Sequence, residues 1–278
     1  MVKIVADTTA GLPLELFREK GISVIPQIVI FGETSYRDDT ELDTATFLQM
    51  LRAASTLPKT AAPSPALYYP IFEEARKQKE SVVVVAPSDK VSGTVRAATI
   101  AAQDFPDLDV RVVDTLTVAG DLGSLVLMAH EWAKADLAID AIIDKLNDMI
   151  RRSRTFFLVD TLEYLQKGGR IGGAKALLGE MLQIKPILTV RDGQVEPYEQ
   201  QRTKKRALAR LIEIVEEQCP KNATSYLCVM QADALETAQL LAAELKIRMG
   251  IEDIPIYELP PAIVVHGGPG ALAVGFFT

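Results

Sequence analysis

Val82-Val83-Val84-Val85, followed within ten residues by Ser92-Gly93-Thr94, is the stretch that decides the fold. Four consecutive β-branched residues suit a strand buried on both faces, which is how strands of a parallel sheet read. Residues 94–104 then read as helix, and Val110-Arg111-Val112-Val113 as a second buried strand. Upstream, Met1-Val2-Lys3-Ile4-Val5-Ala6-Asp7 reads as a strand that starts at once. Ser64-Pro65 has the form of an N-cap and first-turn pair opening a helix to about Gln78. Helices follow from about Gly123 to Lys134 and from about Ile139 to Ser153. Strand alternating with helix in this rhythm predicts an α/β fold: a doubly wound parallel sheet with helices on both faces.

After about residue 155 the pattern changes. Phe156-Phe157-Leu158-Val159 reads as strand, and a short helix ends at Gly168-Gly169. Ile187-Leu188-Thr189-Val190, the turn Arg191-Asp192-Gly193, and Gln194 to Tyr198 form a β-hairpin pattern, which brings in antiparallel pairing. Two long helices, near 203–218 and 233–249, flank a strand from Tyr226 to Met230. Ala262-Ile263-Val264-Val265 reads as strand, followed by a glycine-rich turn and a strand from Leu272 to Phe276. The expectation is two lobes, residues 1–158 and 159–278, the second an α/β lobe with a mixed sheet.

Composition narrows the function. The 278 residues are 48% hydrophobic and 24% charged, which is ordinary globular usage. A net charge of −7 argues against sequence-independent nucleic-acid binding, since that needs a basic surface. The basic clusters Lys204-Lys205-Arg206 and Arg151-Arg152 are local. No apolar run approaches the roughly 18 residues of a membrane span, so membrane contact is expected to be transient at most. The opening residues lack a signal-peptide pattern, and the expectation is a cytoplasmic monomer. Cys219 and Cys228 have neither CxxC spacing nor neighbouring histidines, and read as reduced thiols rather than a metal site. Met149, Met181 and the other methionines are scattered and read as core filler.

Three polar groups are placed where a sheet presents them to a cleft. Ser92-Gly93-Thr94 begins a helix just beyond a parallel strand, where free N–H groups and the helix dipole suit an anion. Ser92 reads equally well as an N-cap or as a ligand donor. Thr60, in the Pro-bounded segment Leu57 to Ser64, reads by itself as part of a loop. His266, in His266-Gly267-Gly268-Pro269-Gly270, is one of only two histidines and stands at a glycine-rich strand end. His130 lies mid-helix and reads as a surface or packing residue. The glycines of Gly168-Gly169-Arg170-Ile171-Gly172-Gly173 have the wrong spacing and context for a dinucleotide loop.

Asp7-Thr8-Thr9, Lys59-Thr60-Ala61-Ala62-Pro63-Ser64, Ser92-Gly93-Thr94 and Val159-Asp160-Thr161-Leu162-Glu163-Tyr164-Leu165 occur in that order along the chain. Lys167-Gly168-Gly169-Arg170-Ile171, Ile184-Lys185-Pro186-Ile187-Leu188, Arg202-Thr203-Lys204-Lys205 and Gly268-Pro269-Gly270-Ala271 follow. Together, nearly end to end, they resemble the motifs of the DegV family of bacterial fatty-acid-binding proteins. The resemblance implies a long-chain fatty acid buried between two lobes, with no other cofactor. It also implies that a separate kinase subunit phosphorylates the carboxylate this chain presents, so that the chain is not itself an enzyme. Carried over, Ser92 and Thr60 hold the carboxylate, with Gly93, Thr94 and His266 beside them. Arg170 and Arg202 match basic positions near the head group and the kinase-facing surface.

Two departures stand out. Ala61-Ala62 replaces Ser-Gln, which removes hydrogen-bonding capacity, and Asp121 stands where glycine is usual. A carboxylate near the pocket is unfavourable for an anionic ligand unless it faces solvent or pairs with a base. A second reading makes the chain an acyl hydrolase or transferase, with Ser92 as nucleophile and His266 as base; it needs an orienting acid and an oxyanion hole.

Overall fold

A computed structural model describes residues 1–179 and 184–278; Met181 lies outside the described residues. The first lobe opens with β1 (Val2–Asp7), α1 (Leu14–Lys20) and β2 (Ser23–Ile25). A small excursion follows: β3 (Ile28–Phe31), β4 (Thr34–Arg37), α2 (Thr44–Ala53) and β5 (Lys59–Ala61). Then come α3 (Tyr69–Gln78), β6 (Ser81–Ala86), α4 (Thr94–Gln103), β7 (Val110–Asp114), α5 (Ala119–Lys134) and α6 (Ile139–Arg152). Strands β2-β1-β6-β7 form a wholly parallel sheet in that order.

Alternation along the strands sends side chains to two separate cores. Ile4, Ala6, Val83 and Val85 pack with Phe17, Leu122, Leu125 and Leu146, from α1, α5 and α6. Val5, Val82, Val84 and Ala86 pack on the other face with Phe72, Ala98 and Ala101, from α3 and α4. The Val82–Val85 run is continuous because both faces of β6 are covered.

The second lobe comprises β8 (Ser153–Leu158), α7 (Glu163–Lys167), β9 (Lys185–Arg191), β10 (Gln194–Gln201) and α8 (Lys204–Gln218). It continues with β11 (Cys228–Gln231), α9 (Leu235–Met249), β12 (Ile256–Glu258), α10 (Pro261–Gly267) and β13 (Leu272–Phe277). Its six-stranded mixed sheet has the order β10-β9-β8-β13-β11-β12. Phe156, Ile187, Val229, Val274 and Phe276 face α8 and α9. Phe157, Leu188, Met230, Ala271 and Ala273 face the opposite way, toward the first lobe. The chain changes sheet between α6 and β8, so β8 belongs to the second lobe although the boundary at residue 158 assigns it to the first.

Two segments differ from their sequence reading. Residues 262–265 are helix, not strand: Pro260-Pro261 fixes a helix start, and a four-residue apolar run has no period to tell the two apart. Lys59–Ala61 is not loop but β5, paired with β3 in a three-stranded antiparallel sheet of order β4-β3-β5. Its strands have three or four residues each, too few to show alternation. Among the described residues no helix is long and apolar enough to cross a membrane.

Asp121 fits neither of the arrangements that would have made it harmless. It is buried at the junction of the lobes, in the first turn of α5, and no base pairs with it. Its Oδ2 accepts hydrogen bonds from Ser153 Oγ at 2.5 Å and Thr155 Oγ1 at 2.7 Å, while Oδ1 has no partner. Gly275 makes the room, since a Cβ there would collide with Oδ1. Burial pushes the carboxyl from an ordinary 3.8 up to about 7, against the opposing pull of the two hydroxyls. The folded state therefore keeps the proton between those values while the unfolded state gives it up, and stability falls as pH rises through that window. Asp121→Asn is expected to flatten this fall and to exceed the parent in stability at pH 8 by about 2–4 kcal/mol. Urea denaturation at pH 5 and pH 8 checks it.

Candidate functional site

Because the first sheet runs β2-β1-β6-β7, the chain leaves β1 and β6 in opposite directions. Beyond the carboxyl ends of such neighbours an open α/β sheet leaves a crevice, and ligands bind there. Here the crevice is closed by the lobe-facing side of the six-stranded sheet and by α10. The cavity left between them has a volume of about 150 Å³. Its walls are mainly apolar, with Val118, Phe157, Leu165, Met230, Ile263 and Ala273 among them. Gln27, Thr60, Ser92, Arg170 and His266 add polar groups.

Thr60 lies on β5, opposite Val29 of β3, and its Oγ1 is 2.8 Å from His266 Nε2. His266 Nδ1 is buried with no partner. An orphaned N–H is less tolerable than an orphaned lone pair, so the proton belongs on Nε2, donated to Thr60. That leaves the Thr60 hydroxyl hydrogen free for a ligand. Burial, assisted by the nearby Arg170 charge, pushes the His266 imidazole down to about 4, so it is neutral at physiological pH.

Arg170 reaches the cavity from the loop after α7. Its Nε donates to the Val91 carbonyl at 3.0 Å and Nη1 to the Gly168 carbonyl at 2.7 Å. Among the described residues it is the one cationic side chain lining the cavity. The glycines before it have separate reasons. Gly169 has φ +71°, the left-handed region, while a Cβ on Gly168 would collide with His266 Nδ1.

Ser92 ends the loop after β6. Its Oγ is 2.9 Å from Thr94 Oγ1 and accepts from Thr94 N–H at 3.3 Å. The Thr94 hydroxyl donates to Asp7 Oδ2 at 2.8 Å and accepts from Gln27 Nε2 at 2.8 Å. With its hydrogen spent on Asp7, Thr94 accepts the Ser92 hydrogen. When Ser92 turns to a ligand, Thr94 keeps Gln27 as its donor, so the turn leaves nothing unpaired. An added Cβ on Gly93 would stand 3.0 Å from the Ala62 Cβ, so these two small residues let the loops meet. Ala61 is exposed and does not line the cavity.

The structure thus brings Thr60, Ser92, Gly93, Arg170 and His266 to one cavity. Thr94 stands one layer behind, and Arg202 is exposed on the turn before α8, outside the cavity. The residues that went unnoticed as site residues are Thr9 and Gln27, which line the cavity, and Asp7 and Asp38 behind them. Asp7 had a legible signal, an acidic side chain ending the first buried strand; Gln27 had none. Ser92 is bonded to Thr94 and His266 to Thr60, so the Ser92–His266 contact required of a hydrolase is not made.

This is the architecture of a two-lobed α/β binding protein with an interlobe cavity. The chain belongs to the DegV family: the profile described as "Uncharacterised protein, DegV family" matches residues 1–278. A DegV domain-containing protein of Streptomyces coelicolor is 36% identical over 275 residues, covering 98% of this chain and 97% of that one. A DegV family protein from Thermus thermophilus, described for its fatty acid binding, has a similar structure with a TM-score of 0.88 at 31% identity. The alignment covers 100% of this chain and 99% of that one. DegV from Bacillus subtilis, described as a fatty acid binding protein, gives a TM-score of 0.89 at 30% identity over 100% and 99% of the two chains.

Gly168→Ala is expected to destabilise the protein by about 1–3 kcal/mol, because the methyl group must displace His266. In a His266→Ala background the same change should cost less, by at least about 0.5 kcal/mol. A double-mutant cycle by urea denaturation measures both values.

Proposed function

We propose that this chain binds one long-chain fatty acid in the interlobe cavity and presents its carboxylate to a separate kinase subunit. The observation that carries the first part is the convergence of two hydroxyls, Thr60 and Ser92, with the Arg170 cation in an otherwise mainly apolar cavity. The fatty acid binding described for the Thermus thermophilus and Bacillus subtilis proteins supports the same ligand class. Each buried CH₂ contributes about 0.8 kcal/mol, so a sixteen-carbon chain gains on the order of 10 kcal/mol before ordering costs. The head group needs charge-assisted hydrogen bonds to offset its desolvation, and the free Thr60 hydrogen, the Ser92 hydroxyl and Arg170 supply them.

Presentation to a kinase rests on the resemblance of the motifs, with Arg202 exposed as a partner-facing residue would be. In this reading the phosphoryl-transfer chemistry belongs to the partner. Neutral His266 contributes by holding Thr60 in its donating orientation.

Mass spectrometry of an organic extract of the purified protein, against a mock purification, is expected to show one fatty acid per chain. An empty extract together with no binding of added fatty acid overturns the ligand. Ser92→Ala combined with Thr60→Val is expected to weaken binding by roughly 2–4 kcal/mol, at about 1–2 kcal/mol per lost bond to a charged group. Arg202→Glu is expected to spare lipid binding and impair phosphorylation by the kinase; loss of lipid binding there would instead assign Arg202 to the ligand site.

A further inference from the structure

Behind the hydroxyls of the head-group site lie two carboxylates without a counter-ion. Asp7 is 1% exposed and Asp38 is 6% exposed. Asp7 accepts from the Thr9 N–H at 2.9 Å, from the Thr9 hydroxyl, from Gln27 Nε2 at 2.5 Å and from Thr94 Oγ1 at 2.8 Å. Asp38 accepts from the Thr8 hydroxyl at 2.8 and 2.9 Å and from the Gln27 N–H at 2.8 Å. Every one of these donors is neutral. Gln27 ties the pair together, its side chain on Asp7 and its backbone on Asp38.

The groups facing the pair offer no compensation. Tyr68, before α3, has a fully buried hydroxyl with no partner, and its ionisation is opposed by burial and then by the Asp7 charge. Asp39 adds a like charge to Asp38 and is itself paired with Arg37. Across the site stand neutral His266 and Arg170. Among the described residues neither Asp7 nor Asp38 takes part in a salt bridge.

The hydrogen count sharpens this. Both Gln27 amide hydrogens point inward, to Asp7 and Thr94, and the Thr94 hydrogen goes to Asp7. Toward the ligand, Gln27 and Thr94 therefore present no spare donor. A carboxylate held by Ser92 is separated from Asp7 by Ser92 and Thr94, and is the third anion in a space lined by one cation. Buried like charges in that situation are relieved by protonating one of them.

We propose that the Asp7–Asp38 pair is part of the head-group site and takes up one proton when the fatty-acid carboxylate binds. This rests on the fatty-acid reading above. Burial pushes Asp38 up to about 7, and Asp7 in the same direction. Below that pH the proton is in place and affinity is full. Above it, affinity falls by up to about tenfold per pH unit, until the pH passes the raised value of the pair in the complex.

Calorimetric titration of the full chain with palmitic acid, at pH 6 and pH 8.5 in two buffers of different protonation enthalpy, tests this. The expected result is uptake near one proton at pH 8.5 and near zero at pH 6, with at least tenfold weaker binding at the higher pH. Binding without uptake at pH 8.5 overturns the proposal, whereas no binding at either pH overturns the fatty-acid reading instead. Asp38→Asn should abolish the uptake and the pH dependence; uptake persisting in that variant overturns the proposal. Carboxyl-¹³C palmitic acid bound to the unaltered protein at pH 8.5 gives a check that needs no variant. An ionised shift is expected, and a protonated one would place the proton on the ligand and overturn the assignment.

Discussion

A buried carboxylate at the end of the first strand, with no salt bridge, has to be met by donors, and meeting it organises the site. Leaving such a group unpaired costs several kcal/mol, a large fraction of the stability of a domain. Asp7 draws Gln27 inward, and β3 begins at the next residue, so the small sheet that carries Thr60 is placed by the same contact. It draws Thr94 inward as well, and Thr94 holds Ser92 two residues earlier. The two hydroxyls proposed to grip the head group arrive from segments more than thirty residues apart, Ser92 bonded to Thr94, and Thr60 on the strand paired with Val29, two residues after Gln27. The fold and the cavity share one polar anchor.

Much of the architecture was legible in the sequence where an element was long or its turn chemistry distinctive. The valine run of β6 announced a strand covered on both faces, and Asp192-Gly193 announced the hairpin of β9 and β10. Short elements hid. The strands of the three-stranded sheet show too few residues for a period, so Thr60 looked like part of a loop. The Val264-Val265 run lacked the length that separates helix from strand, and only the preceding prolines spoke for helix. At the site, Ser92 and Thr60 were reachable through a resemblance of motifs, while Gln27 was not: a glutamine after a short edge strand carries no local signal that it bridges two buried acids. Asp121 was legible as an oddity, yet its environment was not, because the notch at Gly275 is made by a strand more than 150 residues away.

The same residue types can be read as a hydrolase or as a cradle, and geometry separates the two. A nucleophilic serine needs its base within hydrogen-bond reach and the base needs an orienting acid. Here His266 presents Nε2 to Thr60, its Nδ1 faces Gly168 without a partner, and Ser92 is bonded to Thr94. The imidazole is kept neutral by burial and by Arg170. Such a histidine orients a hydroxyl and adds no charge of its own. The loss of polar side chains at Ala61 and Ala62 has a structural counterpart as well, since Gly93 approaches Ala62 so closely that the loops close over small residues.

Strand order in the second lobe carries a consequence for how the protein is assembled. β13 comes last of the strands in sequence, yet it lies between β8 and β11 and is the sole link between the two halves of that sheet. During synthesis β8, β9 and β10 can pair as a meander, and β11 can pair with β12, but the halves have no common neighbour until β13 emerges. Ala271 and Ala273, which line the cavity, arrive with it. That part of the cavity wall is therefore missing until β13 is made. The ligand binding proposed above thus depends on β13, and a chain cut short before it would expose two unpaired strand edges rather than a weakened binding site.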